Sequence, residues 1–304
     1  MSPRDILLAL IVVILWGLNF IAIKWGVALV PPLLLTALRY IFAALPAVFF
    51  VRRPKVKLSV LLAYGVAVGV LQFGSLFMAI KLGMPAGLSS LVIQMQAFFT
   101  IGFAMLALGE RPGRYQVIGA GVALVGICAI GLERLGGAAL VPLLLTLAGA
   151  AFWGVANIAT KKAGKIDMLG FVVWASLVPP IPLLLASLAT EGFAADWAAL
   201  THPSWLLAGI IGFNSYAATL IGFGLWSLLL TRYPASTVAP FSLLVPVVGI
   251  ASSVFLLHEP LSGLELVGSA VIFVGLMINV FGPRLRKAPT VLQNESQPSP
   301  QGVT

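Results

Sequence analysis

Residues 14–26 read ILWGLNFIAIKWG, and residues 151–163 read AFWGVANIATKKA. Trp16-Gly17, Ile21-Ala22 and Lys24 recur as Trp153-Gly154, Ile158-Ala159 and Lys161, a constant shift of 137 positions. Further along, Pro85-Ala86, Glu110, Gly119 and Gly126 recur as Pro234-Ala235, Glu259, Gly268 and Gly275, a constant shift of 149. The two shifts differ by twelve residues, which the long connection at 191–204 can absorb. The matches keep their order along the chain, so the first half resembles the second. Each half holds five apolar stretches. Five is odd, so the second half enters a membrane from the opposite side, which is the inverted-topology repeat typical of secondary transporters.

The composition agrees with a membrane-embedded chain. Hydrophobic residues are 60% of the 304 and charged residues only 9%, against about 25% charged in an ordinary soluble domain. Such a chain has room for about ten spans of ~20 residues. The expected spans are Asp5–Leu29, Pro32–Val51, Leu58–Ile80, Pro85–Leu108, Tyr115–Leu132, Ala138–Thr160, Asp167–Thr190, Trp205–Leu230, Ala235–Leu257 and Gly263–Gly282. This gives an all-α membrane protein of ten transmembrane helices as two inverted five-helix repeats, at 1–135 and 136–282. The polar stretch 283–304, rich in Pro, Ser and Gln, reads as a disordered cytoplasmic tail. The first apolar run lacks a small-residue cleavage site and reads as a span rather than a removed signal.

The basic residues orient the topology. With the N-terminus inside, Arg4, Arg52, Arg53, Lys55, Lys57, Arg111, Arg114, Lys161, Lys162, Lys165, Arg232, Arg284, Arg286 and Lys287 all fall inside. That is fourteen of eighteen, against Lys81 and Arg134 outside. Positive-inside sorting produces this bias, so both termini are expected to be cytoplasmic. The net charge of +9 therefore reads as topology and contact with anionic lipid, and not as nucleic-acid binding.

Buried polar groups in lipid must be paired or used. On span one, Trp16, Asn19, Phe20 and Ile23 share a helical face. Span six repeats the theme with Trp153, Ala156, Asn157 and Thr160. Span three carries Gln72 and Ser75, span four carries Ser90 and Gln94, and span eight carries Asn214, Tyr216 and Trp226. Each amide alone reads as an interhelical hydrogen bond. Together, amides and aromatics on five spans suit a zwitterionic or neutral metabolite with an apolar part. At 100° per residue, Gln96 points about 160° away from Gln94, so the two are not expected to face one cavity squarely. Lys24, near the outer end of span one, either snorkels outward or binds a substrate carboxylate. Arg39, deep in span two, is given a structural role. Pro240 and Pro246 make span nine a candidate hinge, and Pro179, Pro180 and Pro182 interrupt span seven likewise. Trp25, Trp174, Trp197 and Trp205 read as interfacial anchors. Gly119, Gly126, Gly268 and Gly275 read as close-packing faces.

All nine acidic residues (Asp5, Glu110, Glu133, Asp167, Glu191, Asp196, Glu259, Glu265, Glu295) lie at span ends, in loops or in the tail. Proton and cation relays ordinarily place carboxylates mid-membrane. Cys128 is the only cysteine, and His202 and His258 are far from any ligand cluster, so no disulfide, metal or other cofactor is expected. No nucleophile–base pair points to an enzyme and no ring of charge to a channel.

The stretches ILWGLNFIAIKWG (14–26), PPLLLTALRY (31–40), GMPAGLSSLVIQMQAFFT (83–100), GERPGRYQVIGAGVALVGI (109–127), LVPVVGI (244–250) and HEPLSGLELVGSAVIFVGL (258–276) resemble the drug/metabolite transporter superfamily. Within it the chain looks like the ten-span EamA branch, near the bacterial cysteine and O-acetylserine exporters and the aromatic amino-acid exporters. The resemblance runs from about residue 5 to 282. It implies a bacterial inner-membrane location, efflux of amino acids and related small metabolites, and a central cavity between the repeats. It brings no residue-by-residue substrate signature. With no titratable carboxylate or histidine mid-span, facilitated export by alternating access is the simpler expectation, and proton-coupled drug/metabolite efflux is the alternative. The oligomeric state is left open.

Overall fold

The computed structural model describes residues 1–135, 139–164, 166–202 and 204–283. Lys165, the segment 136–138 at the expected repeat boundary, and the tail with Arg284, Arg286 and Lys287 lie outside the described residues. Among the described residues, ten helices are long and apolar enough to cross a membrane: Pro3–Leu29, Pro32–Phe49, Leu58–Lys81, Ala86–Leu108, Arg114–Arg134, Leu140–Ala163, Met168–Thr190, Trp205–Arg232, Ala239–Leu257 and Gly263–Phe281. They are spans one to ten below. Among the described residues there is no strand.

Local chemistry sets the ends of these helices. Ser2, Asp167, Ser204 and Ser262 accept backbone N–H groups of their first turns, and Ser262 forms a reciprocal capping box with Glu265. Proline occupies the first turn of spans one and two, where its missing N–H costs nothing. Span seven breaks between Ala175 and Pro180, so that Met168–Ala175 and Pro180–Thr190 are separate helices. A short helix, Phe193–Thr201, fills the longest connection.

Spans five and ten pack backbone to backbone. A Cβ added at Gly119 or Gly126 would lie 2.6 Å from the carbonyl oxygen of Gly275 or Gly268. Only glycine permits such an approach, and it replaces the hydrophobic drive that lipid cannot supply. The inverted repeat is visible in equivalent contacts. Gly17 of span one meets Val248 of span nine, and Gly154 of span six meets Phe99 of span four, positions related by the shifts of 137 and 149.

The helices also depart from α-geometry at equivalent places. Span three is π-helical over Gly65–Gln72 and span eight over Phe213–Ile221. Span four tightens to a 3₁₀ turn at Ile93–Met95 and span nine at Ala239–Leu243. Such breaks shift hydrogen bonding off the i→i−4 register and recur at functional sites. Here all four lie at mid-bundle.

We call the side bearing the 52–57 and 109–113 connections the basic face. On the opposite side the bundle has one continuous core, including Ile23, Val27, Leu76, Phe77, Ile80, Met84, Leu88 and Leu91. On the basic side the packing divides. One small core joins spans three, six and seven through Leu61, Tyr64, Ala67, Ala156 and Phe171. Another joins spans one, eight and nine through Ala9, Leu229 and Val238.

Candidate functional site

Between the two small cores lies a cavity of about 380 Å³. Its walls come from spans one to four and six to nine, so both repeats contribute. Thr160, Met168 and Leu230 line it, all within a turn of the basic ends of spans six, seven and eight. On the other side the lining reaches Asn19 and Gln72 and meets the continuous core at Phe20, Ile93 and Val245.

An aromatic cluster forms one wall. Trp16 packs against Phe223 and Trp226, each with ring centroids 5.3 Å away. Its Nε1 donates to the Ala218 carbonyl at 2.9 Å, an oxygen within the π-helical stretch of span eight. Amides form the facing wall. Gln94 Nε2 donates to the Ser242 carbonyl at 3.0 Å, linking the two 3₁₀ turns of spans four and nine. Asn157 Nδ2 donates to Gln96 Oε1 at 2.7 Å and to Thr100 Oγ1 at 2.9 Å. Asn19 Oδ1 and Gln72 Oε1 are buried without a partner.

Arg39 also lines the cavity. It is 3% exposed. Its guanidinium sits 4.0 Å from the centroid of the Phe73 ring, and Nη2 donates to Thr219 Oγ1 at 3.1 Å. Span eight holds the neighbouring backbone as well, because Ser215 Oγ donates to the Arg39 carbonyl at 2.9 Å. Nε and Nη1 have no partner. Among the lining residues there is no carboxylate and no other charge.

Of the residues singled out from sequence, Trp16, Asn19, Gln72, Gln94, Trp153, Asn157 and Trp226 line this cavity. Five do not. Lys24 pairs with Glu259 at 3.1 Å on the face opposite the basic one. Ser75 packs against span six at Gly149. Ser90 donates to the Gly87 carbonyl and fills the space beside Gly249. Asn214 is buried and bonds back to the Ile210 carbonyl. Tyr216 is 38% exposed on the outside of the bundle. Pro240 falls within the 3₁₀ turn of span nine, and Pro246 is buried in the helix that follows.

Gln94 and Gln96 both reach the cavity, against the helical-wheel expectation. The 3₁₀ turn at Ile93–Met95 is the reason, since three residues per turn bring positions i and i+2 to about 120° apart rather than 160°. Arg39, given a structural role from the sequence, has the Thr219 hydroxyl as its oxygen partner. The sequence did contain a signal: an arginine deep in a span, with no acidic residue at comparable depth anywhere in the chain.

A polar cavity between inverted repeats within ten apolar helices defines a polytopic membrane transporter. The chain belongs to the EamA-like transporter family, whose model matches residues 4–132 and again 140–281. It is 45% identical to a protein of Escherichia coli (strain K12) named "Probable amino-acid metabolite efflux pump", over 96% of this chain and 99% of that one. A protein of the same name in Salmonella typhimurium is 45% identical over the same shares. A solved crystal structure superposes with a TM-score of 0.62 at 18% identity, covering 95% of this chain and 99% of its own. That likeness speaks to the fold alone.

Proposed function

We propose that this chain exports amino acids and related small metabolites across the bacterial inner membrane by alternating access, with the basic face and both termini cytoplasmic. The carrying observation is the mid-bundle cavity, walled by amides and aromatics from both repeats and reaching toward the basic face. Its chemistry suits a zwitterion with an apolar part: amides supply donors and acceptors, and the Trp16–Phe223–Trp226 cluster supplies a flat apolar surface. The efflux-pump names of the 45% identical relatives support the same substrate class. The fourteen-to-two distribution of basic residues supports the orientation. We put the repeat boundary near 136, a reading supported by the gap between the two matches of the family model, 4–132 and 140–281.

Export is proposed to be facilitative. No Asp, Glu, His or Lys lines the cavity, so no group there is suited to carry a proton in step with substrate. A zwitterion has no net charge and moves without regard to membrane potential. Proteoliposomes loaded with labelled amino acids should equilibrate without an imposed pH gradient. Accumulation above equilibrium that needs a pH gradient and collapses with a protonophore would replace this reading with proton-coupled efflux. Failure to move any amino acid would remove the substrate class.

A further inference from the structure

We infer that Arg39 is the carboxylate-binding residue of the cavity, and that it makes the transporter select substrates with a free carboxylate. The inference rests on the proposed amino-acid reading of that site and adds the group that recognises the substrate.

The argument starts from cost. A guanidinium in the hydrocarbon region is tolerated when it is paired with an anion, wrapped by carbonyls or open to water. Arg39 is 3% exposed, and among the described residues the only acceptor its side chain finds is the Thr219 hydroxyl. That hydroxyl already donates to the Asn214 carbonyl at 2.8 Å, so it is held in place as an acceptor. The Phe73 face adds a cation–π contact. Nε and Nη1 remain unspent. The other buried arginine among the described residues, Arg134, also leaves its Nε unpartnered but is paired with the Glu265 carboxylate. Arg39 is instead held at one nitrogen and stacked on one ring, at the wall of a cavity that contains no anion of its own.

The unspent donors have a definite chemistry. A planar guanidinium with free donors matches a carboxylate, which can take two parallel N–H bonds from it. The rest of the cavity is complementary to the other half of an amino acid. Asn19 Oδ1 and Gln72 Oε1 are buried acceptors without donors, and an α-ammonium supplies three. Substrate entry would therefore satisfy opposite deficits on both sides at once. A simple amine would meet only the acceptors and face an uncompensated cation. An amide or alcohol analogue would leave the guanidinium without its counter-charge.

The test compares methionine with methioninamide and methioninol, which keep the side chain and ammonium and lose the carboxylate. Binding is measured on the full chain in detergent and competition for transport in proteoliposomes. The wild type should bind methionine about 10–100-fold more tightly than either analogue, the scale of a hydrogen-bonded charge. Arg39→Gln should erase that preference, methionine then binding no more tightly than its analogues. Arg39→Lys keeps the charge and loses the fork, so it should show an intermediate preference. It also decides the matter if the glutamine variant does not fold. Equal binding of methionine and its analogues by the wild type would overturn the proposal, as would an undiminished preference in the folded variants. Should the wild type bind no amino acid in a panel led by methionine, the amino-acid reading falls by itself. Arg39 is then judged on 3-phenylpropionate against 3-phenylpropanamide, where an equal response of wild type and Arg39→Gln would overturn it.

Discussion

The repeat relates two ion pairs at opposite faces of the bundle, and the two live in different surroundings. Lys24 and Glu259 correspond to Lys161 and Glu110 under the shifts of 137 and 149, so each pair crosses between repeats. The Lys24–Glu259 side chains are 32% and 16% exposed. Glu259 also accepts from the Ala86 N–H and from Ser253 Oγ, stapling spans one, four and nine. The Lys161–Glu110 side chains are 51% and 46% exposed, and among the described residues the Glu110 carboxylate accepts only from that lysine. The helix ends carrying the two glutamates are nevertheless alike. Gly109 and His258 both take left-handed backbone, and the N–H groups of Glu110 and Glu259 bond to equivalent carbonyls of Ala104 and Ser253. The same local structure is thus a closed staple over the continuous core and an open strut over the cavity. Helix packing beneath each pair makes the difference, and a transporter that alternates would exchange the two.

The comparison can be broken most forcefully by locking the closed face. A Cβ at Gly87 would lie 2.9 Å from Ser253 Cβ, so the two positions need part by only about 1 Å to reach disulfide geometry. In a background where Cys128 is replaced by serine, Gly87→Cys with Ser253→Cys should abolish transport when oxidised and restore it on reduction. Full transport by the oxidised protein would mean that this face does not open. A smaller effect is expected from Glu259→Ala, which leaves Lys24 unpaired and the Ala86 N–H without its acceptor. It should lower stability by about 1–3 kcal/mol in a denaturant titration in detergent, and should raise the labelling of a cysteine at Asn19 from the face opposite the basic one. The smallest is Glu110→Ala. An exposed pair contributes up to about 1 kcal/mol, so its stability should move by less than that. Equal losses from Glu110→Ala and Glu259→Ala would erase the asymmetry between the faces.

The ten spans, the inverted repeat and the close-packing glycine faces of spans five and ten were legible in the sequence; that the two faces meet each other was not. Each follows from a requirement that acts along the chain. A span must be about 20 apolar residues long to satisfy its own backbone in lipid, and close helix contact there calls for small residues at regular spacing. Seven of the twelve site residues singled out from sequence line the cavity, and of these Trp16, Asn19, Trp153 and Asn157 sit on regular α-helix, where 100° per residue holds. Tertiary structure alone decided the rest. The π-helical stretch Phe213–Ile221 changes the phase of span eight, so that Tyr216 faces outward and Asn214 turns back on its own helix while Trp226 stays in the cavity. The 3₁₀ turn at Ile93–Met95 brings Gln96 in beside Gln94. Lys24 is withdrawn by a glutamate that lies 235 positions away in the chain and at its side in space. Arg39 becomes a wall of the cavity because span eight gives it one hydroxyl and span three one aromatic ring, leaving two of its nitrogens unused. Helical phase and partner choice depend on neighbours from other spans, and no run of residues read along the chain contains them.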